Sequence, residues 1–397
     1  MEKKRILLCG LKGCANLGDE AILQCTKKII EDILIRENRK NEFELKLIDF
    51  TFGTELGNKP PKHGPKYVAY STATALFRKP LSKLKDVQIR IKARKLIKQL
   101  LRSETCAIVF AGGGIIKYKY QKFYIYIDEF TREADRFNIP ILFSGVGIEG
   151  YDVRNPNCRT LLKSLSRKCI KIISTRDDFR LLNNYYLKGN PLCERYKVAD
   201  PVCSINQFYP IPFAEEKNTI GFAISRFDIF KDNGITITHH ELPIIWKSLI
   251  EHLEKKGVPW KIFTTGLPCD YEAELELKQM LPQYPDSHFL PRPRTVIELL
   301  NIFSQFKATC VCRLHASIIS YSLNIPSMAL VWNKKQIMFA KATNQEKNFI
   351  SYPDIYDTNK LTAVLDGISC NHGPISKSKE YTQTIYHPIE RFFEKYI

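Results

Sequence analysis

The stretch Cys310-Val311-Cys312-Arg313-Leu314-His315-Ala316-Ser317 reads as the end of a β-strand turning straight into a helix. Ala308–Cys312 is an apolar run of strand length, and Ala316–Leu323 continues with helical character. In an open α/β sheet, ligands bind outside the carboxyl ends of the strands. The turn therefore sets a guanidinium and an imidazole, with one residue between them, where a ligand would sit. Such a pair can grip an anion and move a proton near neutral pH. A second turn of this kind, Gly13-Cys14-Ala15-Asn16-Leu17-Gly18-Asp19-Glu20, follows the first apolar run of the chain. The two turns lie in opposite halves of the sequence, which predicts two domains facing one cleft.

Working outward, the same alternation recurs. Arg5–Leu11, Phe43–Phe50, Ala107–Phe110, Ile139–Val146 and Cys169–Ser174 read as strands, with helical sequence at Glu20–Arg36 and near the later strands. A second series starts near residue 218. Its strands are Thr219–Ser225, Trp260–Thr265, Ala308–Cys312 and Pro326–Val331, and its helices are His240–Lys256, Thr295–Phe306 and Ala316–Leu323. Short buried strands alternating with helices imply parallel sheets covered on both faces. The fold class is α/β, with two Rossmann-like domains: residues 1–205, residues 206–376, and a tail over 377–397 that is helical after Pro388 and packs back on the first domain. Residues 51–80 lack a clear period and form a long excursion. Asn206–Asn218, with Pro210 and Pro212, is the expected linker.

The 397 residues suffice for two cores, and 44% hydrophobic residues indicate a globular chain. No apolar run reaches the roughly 18 residues needed to span a bilayer. The charged start Met1-Glu2-Lys3-Lys4-Arg5 runs at once into a strand, unlike a signal peptide. Most of the twelve cysteines sit in apolar runs and none form a CxxC pair, so a metal site is not expected and reduced thiols in a cytoplasmic protein are. The net charge of +18 suits an anionic substrate, an anionic membrane or a nucleic acid. No nucleic-acid-binding motif accompanies it.

Three clusters beyond the opening turn could carry chemistry. Asn16 and Asp19 lie at a helix start, where amides favour anions or sugar oxygens, although Asp there is also an ordinary cap. Gly112-Gly113-Gly114 ends a strand and leaves bare backbone, either for a ligand or for a tight turn. Ser225-Arg226 ends one strand of the second series, and Lys334 and Lys335 follow another. With Arg313 and His315 they would form a pocket for a small, highly charged anion. Arg176, after a strand of the first series, reads equally as a ligand or as a structural ion pair.

Lys79–Arg102 is different in kind. It holds basic residues at 79, 83, 85, 90, 92, 94, 95, 98 and 102 against the single acid Asp86, with Leu84, Val87, Ile91, Ile97 and Leu101 at near-helical spacing. This predicts a basic amphipathic helix, suited either to packing on its domain or to lying on an anionic membrane.

Taken together, Asn16-Leu17-Gly18-Asp19-Glu20-Ala21-Ile22-Leu23, Gly112-Gly113-Gly114, Arg176-Asp177, Asp200-Pro201, Ser225-Arg226 and Arg313-Leu314-His315-Ala316 resemble the polysaccharide pyruvyl transferases. The resemblance spans about residues 5 to 340. It implies a fold similar to GT-B glycosyltransferases, with the acceptor on the first domain and phosphoenolpyruvate on the second. It implies transfer of pyruvate from phosphoenolpyruvate to a hexose of a capsule or exopolysaccharide precursor as a cyclic ketal, with no cofactor. Arg313 and His315 inherit the phosphoenolpyruvate site, Arg226 resembles the other donor-site arginine, and Lys335 matches a lysine after the next strand. His315 and Asp19 are the expected catalytic pair. Arg313, Arg226, Lys335, Asn16, Gly112, Gly113, Gly114 and Arg176 are the expected substrate ligands. The acceptor is a sugar or a lipid-linked oligosaccharide, which suits a cytoplasmic enzyme held peripherally at the inner membrane. Lys12, Gly13, Cys14 and Ala15 depart from the aromatic and glycine residues frequent in the family, as does Trp332-Asn333 from Tyr-Asp. The alternative on the same fold is a glycosyltransferase using a nucleotide sugar, for which Glu298 would be the candidate ribose partner.

Overall fold

The structure is a computed structural model that describes residues 3–13, 16–53, 78–101, 104–209, 211, 217–370 and 379–397, the side chains of 78–83 excepted. Much of the 51–80 excursion and of the 206–218 linker lies outside these residues, as do Arg102 and the side chains of Lys79 and Lys83. The chain forms two compact units. One comprises residues 1–14, 22–200 and 383–397, the other 15–21 and 201–382. The passage from the first to the second falls at Asp200–Pro201, a few residues ahead of 206. Pro201–Phe208 joins the second unit because Ser322 Oγ donates to the Cys203 carbonyl at 3.0 Å and accepts from the Asn206 amide at 3.3 Å.

The first unit is a six-stranded parallel sheet. Its elements run β1 Lys4–Gly10, α1 Leu17–Arg36, β2 Phe43–Asp49, α2 Arg78–Leu100, β3 Thr105–Ala111, α3 Phe123–Arg136, β4 Ile141–Val146, α4 Pro156–Leu165, β5 Ile170–Thr175 and β6 Glu194–Lys197. The strand order is β2-β1-β3-β4-β5-β6. The central strands are buried along nearly their whole length because helices cover both faces, which is why they read as unbroken apolar runs. Phe110 and Phe143 on adjacent strands stack at 4.6 Å between ring centroids. Charge also organises this unit. Asp128 of α3 takes Arg167 at 2.7 Å and Arg90 at 2.5 Å, and Glu129 takes Arg94 at 2.8 Å. Burial alone would raise the Asp128 carboxyl, but the hydrogen bonds from Arg167 and Arg90 outweigh it and leave the group below the usual carboxylate range.

The second unit is a five-stranded parallel sheet. It runs β7 Ile220–Ala223, α5 Glu241–Lys255, β8 Trp260–Phe263, α6 Pro268–Gln279, α7 Val296–Phe303, β9 Ala308–Val311, α8 Leu314–Ser322, β10 Ser327–Val331, α9 Lys334–Ala342, β11 Phe349–Ser351 and α10 Thr358–Cys370. The strand order β11-β10-β9-β7-β8 repeats the pattern of the first sheet. The chain thus consists of two Rossmann-like domains. A last helix, α11 Tyr386–Tyr396, belongs to the first unit. Phe393 meets Phe43 edge-on, and Arg391 and Lys395 pair with Glu194 of β6. Pro388 sits inside the first turn of α11, where a missing N–H costs nothing, so the helix begins before the proline rather than after it.

Candidate active site

Both sheets reverse their winding at the first strand, so each has a switch point: β1/β3 in one and β7/β9 in the other. Crevices at such points are where open α/β sheets bind ligands. Arg226 follows β7, Arg313 follows β9, and Lys335 follows β10. These strands are immediate neighbours and parallel, so the three cations stand at one sheet edge.

Asp270 links two of them. This residue of α6 is fully buried, and its carboxylate accepts from Arg313 Nε at 2.9 Å and Nη2 at 2.5 Å, a two-pronged pair. It also accepts from the Arg226 backbone amide at 2.9 Å. Burial would weaken the charge on Arg313, but Asp270 more than compensates and holds the guanidinium firmly protonated. Nη1 of Arg313 makes no hydrogen bond among the described residues. Arg226 instead pairs with Asp232, and both side chains are substantially exposed. An exposed pair is worth about 0–1 kcal/mol, so Asp232 can be displaced from Arg226 at little cost. The buried Asp270–Arg313 pair cannot be opened as cheaply.

The backbone before Arg313 is fixed from the neighbouring strand. The carbonyl of Cys312 accepts from Trp332 Nε1 at 2.7 Å and from Gln336 Nε2 at 3.0 Å. Gln336 is itself buried and also accepts from the Trp332 amide at 3.0 Å. Arg313 occupies the N-cap of α8, and His315 falls in that helix's first turn. Burial pushes the Cys312 thiol up to about 12, so it stays protonated beside the site.

The Gly18 turn reaches the same place. Residues 15–21 belong to the second unit, and a Cβ added at Gly18 would lie 2.2 Å from His315 Nδ1 and 2.7 Å from its Cβ. Glycine in a helical first turn costs about 1 kcal/mol against alanine, and here the close approach requires it. Asn16 Nδ2 donates to Asp19 Oδ2 at 2.6 Å, so these two form one polar group beside Gly18.

Gly112, Gly113, Gly114 and Arg176 belong to the first unit. Gly112 and Gly113 have φ of +33° and +72°, and a Cβ at Gly112 would overlap Ile22 Cγ2. The Gly113 carbonyl accepts from the Gly147 amide at 2.6 Å, and a Cβ on Gly147 would come within 3.0 Å of Gly114 Cα. The bare backbone of this run is used for internal packing at the β3 and β4 ends. Arg176 is buried and pairs with Asp200, with Asp177 at 3.8 Å. Glu298 is an ordinary helix-start acid whose carboxylate accepts the Arg294 amide at 2.8 Å. Among the described residues no group of three His, Cys, Asp or Glu could hold a metal ion.

The sequence pattern of the polysaccharide pyruvyl transferases matches residues 16–334, from Asn16 through Lys334. The chain belongs to that family. The chain also resembles solved sugar-nucleotide enzymes in fold. The UDP-GlcNAc 2-epimerase of Methanocaldococcus jannaschii superposes with a TM-score of 0.59 at 11% identity, over 99% of this chain and 100% of that one. The Neisseria meningitidis UDP-GlcNAc 2-epimerase bound to UDP-GlcNAc gives 0.55 at 11%, over 99% and 100%. Identities this low establish a GT-B-like fold and nothing of the substrate. No curated protein is similar enough to match the chain.

Proposed function

We propose that this pyruvyl transferase moves the pyruvyl group of phosphoenolpyruvate onto two hydroxyls of a hexose in a capsule or exopolysaccharide precursor. A cyclic ketal forms and phosphate leaves. The observation that supports this most is the cation cluster at the β7/β9 switch point, with Arg313 held by Asp270 and His315 beside it. Phosphoenolpyruvate carries a carboxylate and a phosphate, and a planar guanidinium can take either with two hydrogen bonds.

The chemistry needs one proton delivered and two removed. Protonation at C3 turns the methylene into a methyl group and leaves a cation at C2. One sugar oxygen bonds to C2 and gives up its proton, and the C2–O bond to phosphate breaks. A second sugar oxygen then closes the ring, and its proton is carried off with the phosphate. In this reading His315 delivers the proton, Arg313, Arg226 and Lys335 neutralise the donor's charge, and Asp19, oriented by Asn16, receives a proton from the acceptor hydroxyl. Asp270 is a positioning residue: it aims Arg313 and pins the Arg226 backbone.

The test is release of phosphate from phosphoenolpyruvate in the presence of a sugar acceptor. His315→Ala is expected to lower turnover by roughly 10²–10⁴-fold. Turnover within a few-fold of wild type would remove His315 from the chemistry. Calorimetry with phosphoenolpyruvate and with UDP-sugars separates this reading from a nucleotide-sugar transferase: binding of the UDP-sugar alone overturns it.

A further inference from the structure

The helix α2 has two faces that differ in chemistry. Its inner face packs on the first unit through Ala93 and Ile97, both buried, and through the Arg90 and Arg94 pairs to Asp128 and Glu129. Asp86, the helix's one acid, is also engaged there, by Lys122 at 3.0 Å and the Tyr124 hydroxyl at 3.1 Å. The carboxylates around the helix are thus consumed on this side.

The outer face is a row of aliphatic side chains in water. Leu84, Val87 and Ile91 follow one another at the spacing of a single helical face and are 58%, 50% and 65% exposed. Single exposed apolar residues are common, but a row of three on one helix face calls for a reason. Lys85, Lys92, Lys95 and Lys98 flank the row, all exposed and without an ion pair among the described residues. Arg90 and Arg94 thus point inward to carboxylates, while Lys85, Lys92, Lys95 and Lys98 are exposed around an apolar stripe.

We propose that the outer face of α2 rests on an anionic lipid bilayer. The stripe enters the boundary between headgroups and acyl chains, and the lysines take the lipid phosphates. Charge complementarity selects this occupant. A second copy of the same face would set lysine against lysine, and a nucleic-acid backbone offers nothing to the aliphatic row. The net charge of +18 adds a long-range attraction of the same sign. Lysines near such a surface contribute about 1 kcal/mol each, and a peripheral helix binds by their sum with the apolar insertion. The inference stands apart from pyruvyl transfer and does not depend on it.

The test is flotation of the full chain with vesicles of phosphatidylcholine alone and of phosphatidylcholine mixed with phosphatidylglycerol. The chain is expected to float with the mixed vesicles only, and less so as salt rises. Ile91→Glu should abolish flotation, and Lys92→Gln with Lys95→Gln should weaken it roughly thirtyfold. Ile244→Glu, at an aliphatic residue 59% exposed on α5, should leave it unchanged. Thermal melts confirm that each variant is folded. Absence of flotation at low salt, equal flotation with both vesicle types, or equal behaviour of Ile91→Glu and Ile244→Glu overturns the proposal. So does a concentration-dependent dimer that Ile91→Glu dissolves without vesicle binding, which would assign the face to a second copy.

Discussion

The imidazole of His315 lies against the bare Cα of Gly18, in the space that any side chain at residue 18 would occupy. This joins the two turns that are most distinctive in the sequence. Gly18→Ala tests that contact. Alanine is the better helix former by about 1 kcal/mol, but its methyl would lie 2.7 Å from His315 Cβ, which ring rotation cannot relieve, so the melting temperature should fall rather than rise. Displacing a reacting group by about 1 Å can cost roughly 100-fold in rate, and turnover should fall by that order. Phosphate release measured beside a thermal melt checks both, and wild-type turnover in Gly18→Ala would show that the position of His315 is not critical.

Asp270 and Arg313 should fail asymmetrically. Asp270→Asn leaves a largely buried guanidinium without its counter-charge, and removing one member of a buried pair costs up to about 3–5 kcal/mol. Arg313→Lys keeps the charge but loses the two-pronged geometry. Its expected effect is a KM for phosphoenolpyruvate raised roughly tenfold or more, with a smaller loss of stability. Chemical denaturation and steady-state kinetics on both variants measure this, and equal stability losses would refute the asymmetry.

Glu274 predicts a pH dependence. It lies buried one turn beyond Asp270 on α6, and burial, only partly opposed by Lys278, pushes its carboxyl from 4.5 up to about 8. Between those values the folded state holds a proton that the unfolded chain has released. Stability therefore falls as pH rises from about 4.5 to about 8, and this contribution is flat above. Glu274→Gln should flatten that slope, with a gain on the order of a few kcal/mol at the alkaline end. Melts across this range decide it, and an unchanged slope would place the titration elsewhere.

The glycine run after β3 offers a stability test. Gly112→Ala should cost about 1–3 kcal/mol, from a positive φ and from overlap with Ile22 Cγ2. Ile22→Ala removes the overlapping methyl, so the double variant should lose less than the sum of the two single ones. Strict additivity in denaturant midpoints would show that the methyl is not the obstacle.

The buried strands and the sheet-end position of Arg313 were legible because their signals are local. β9 is an apolar run, and Arg313 and His315 adjoin it in sequence. Asp270 was not legible. It lies 43 residues before Arg313, and only the strand order, which sets β7 between β8 and β9, brings it under both arginines. The local signal at Leu267-Pro268-Cys269-Asp270 is a helix start and nothing more. β6 escaped for a related reason. Glu-Arg-Tyr-Lys at a half-exposed sheet edge has no apolar run to betray it. The glycine run was recognisable as a special backbone, but the partner that demands it, Ile22, is some ninety residues away.

The double clamp on the Cys312 carbonyl has a consequence for redesign. Trp332 and Gln336 reach it from beyond β10, so the loops after β9 and β10 form one heritable block. Grafting the Arg-Leu-His turn alone into another scaffold would carry over the residues without the anchor that aims them. Conversely, Gln336, which stands outside the turn, bears on it from a distance: shortening it to Asn removes one of the two clamps on the Cys312 carbonyl, leaves Trp332 as the other, and loosens the backbone that carries Arg313.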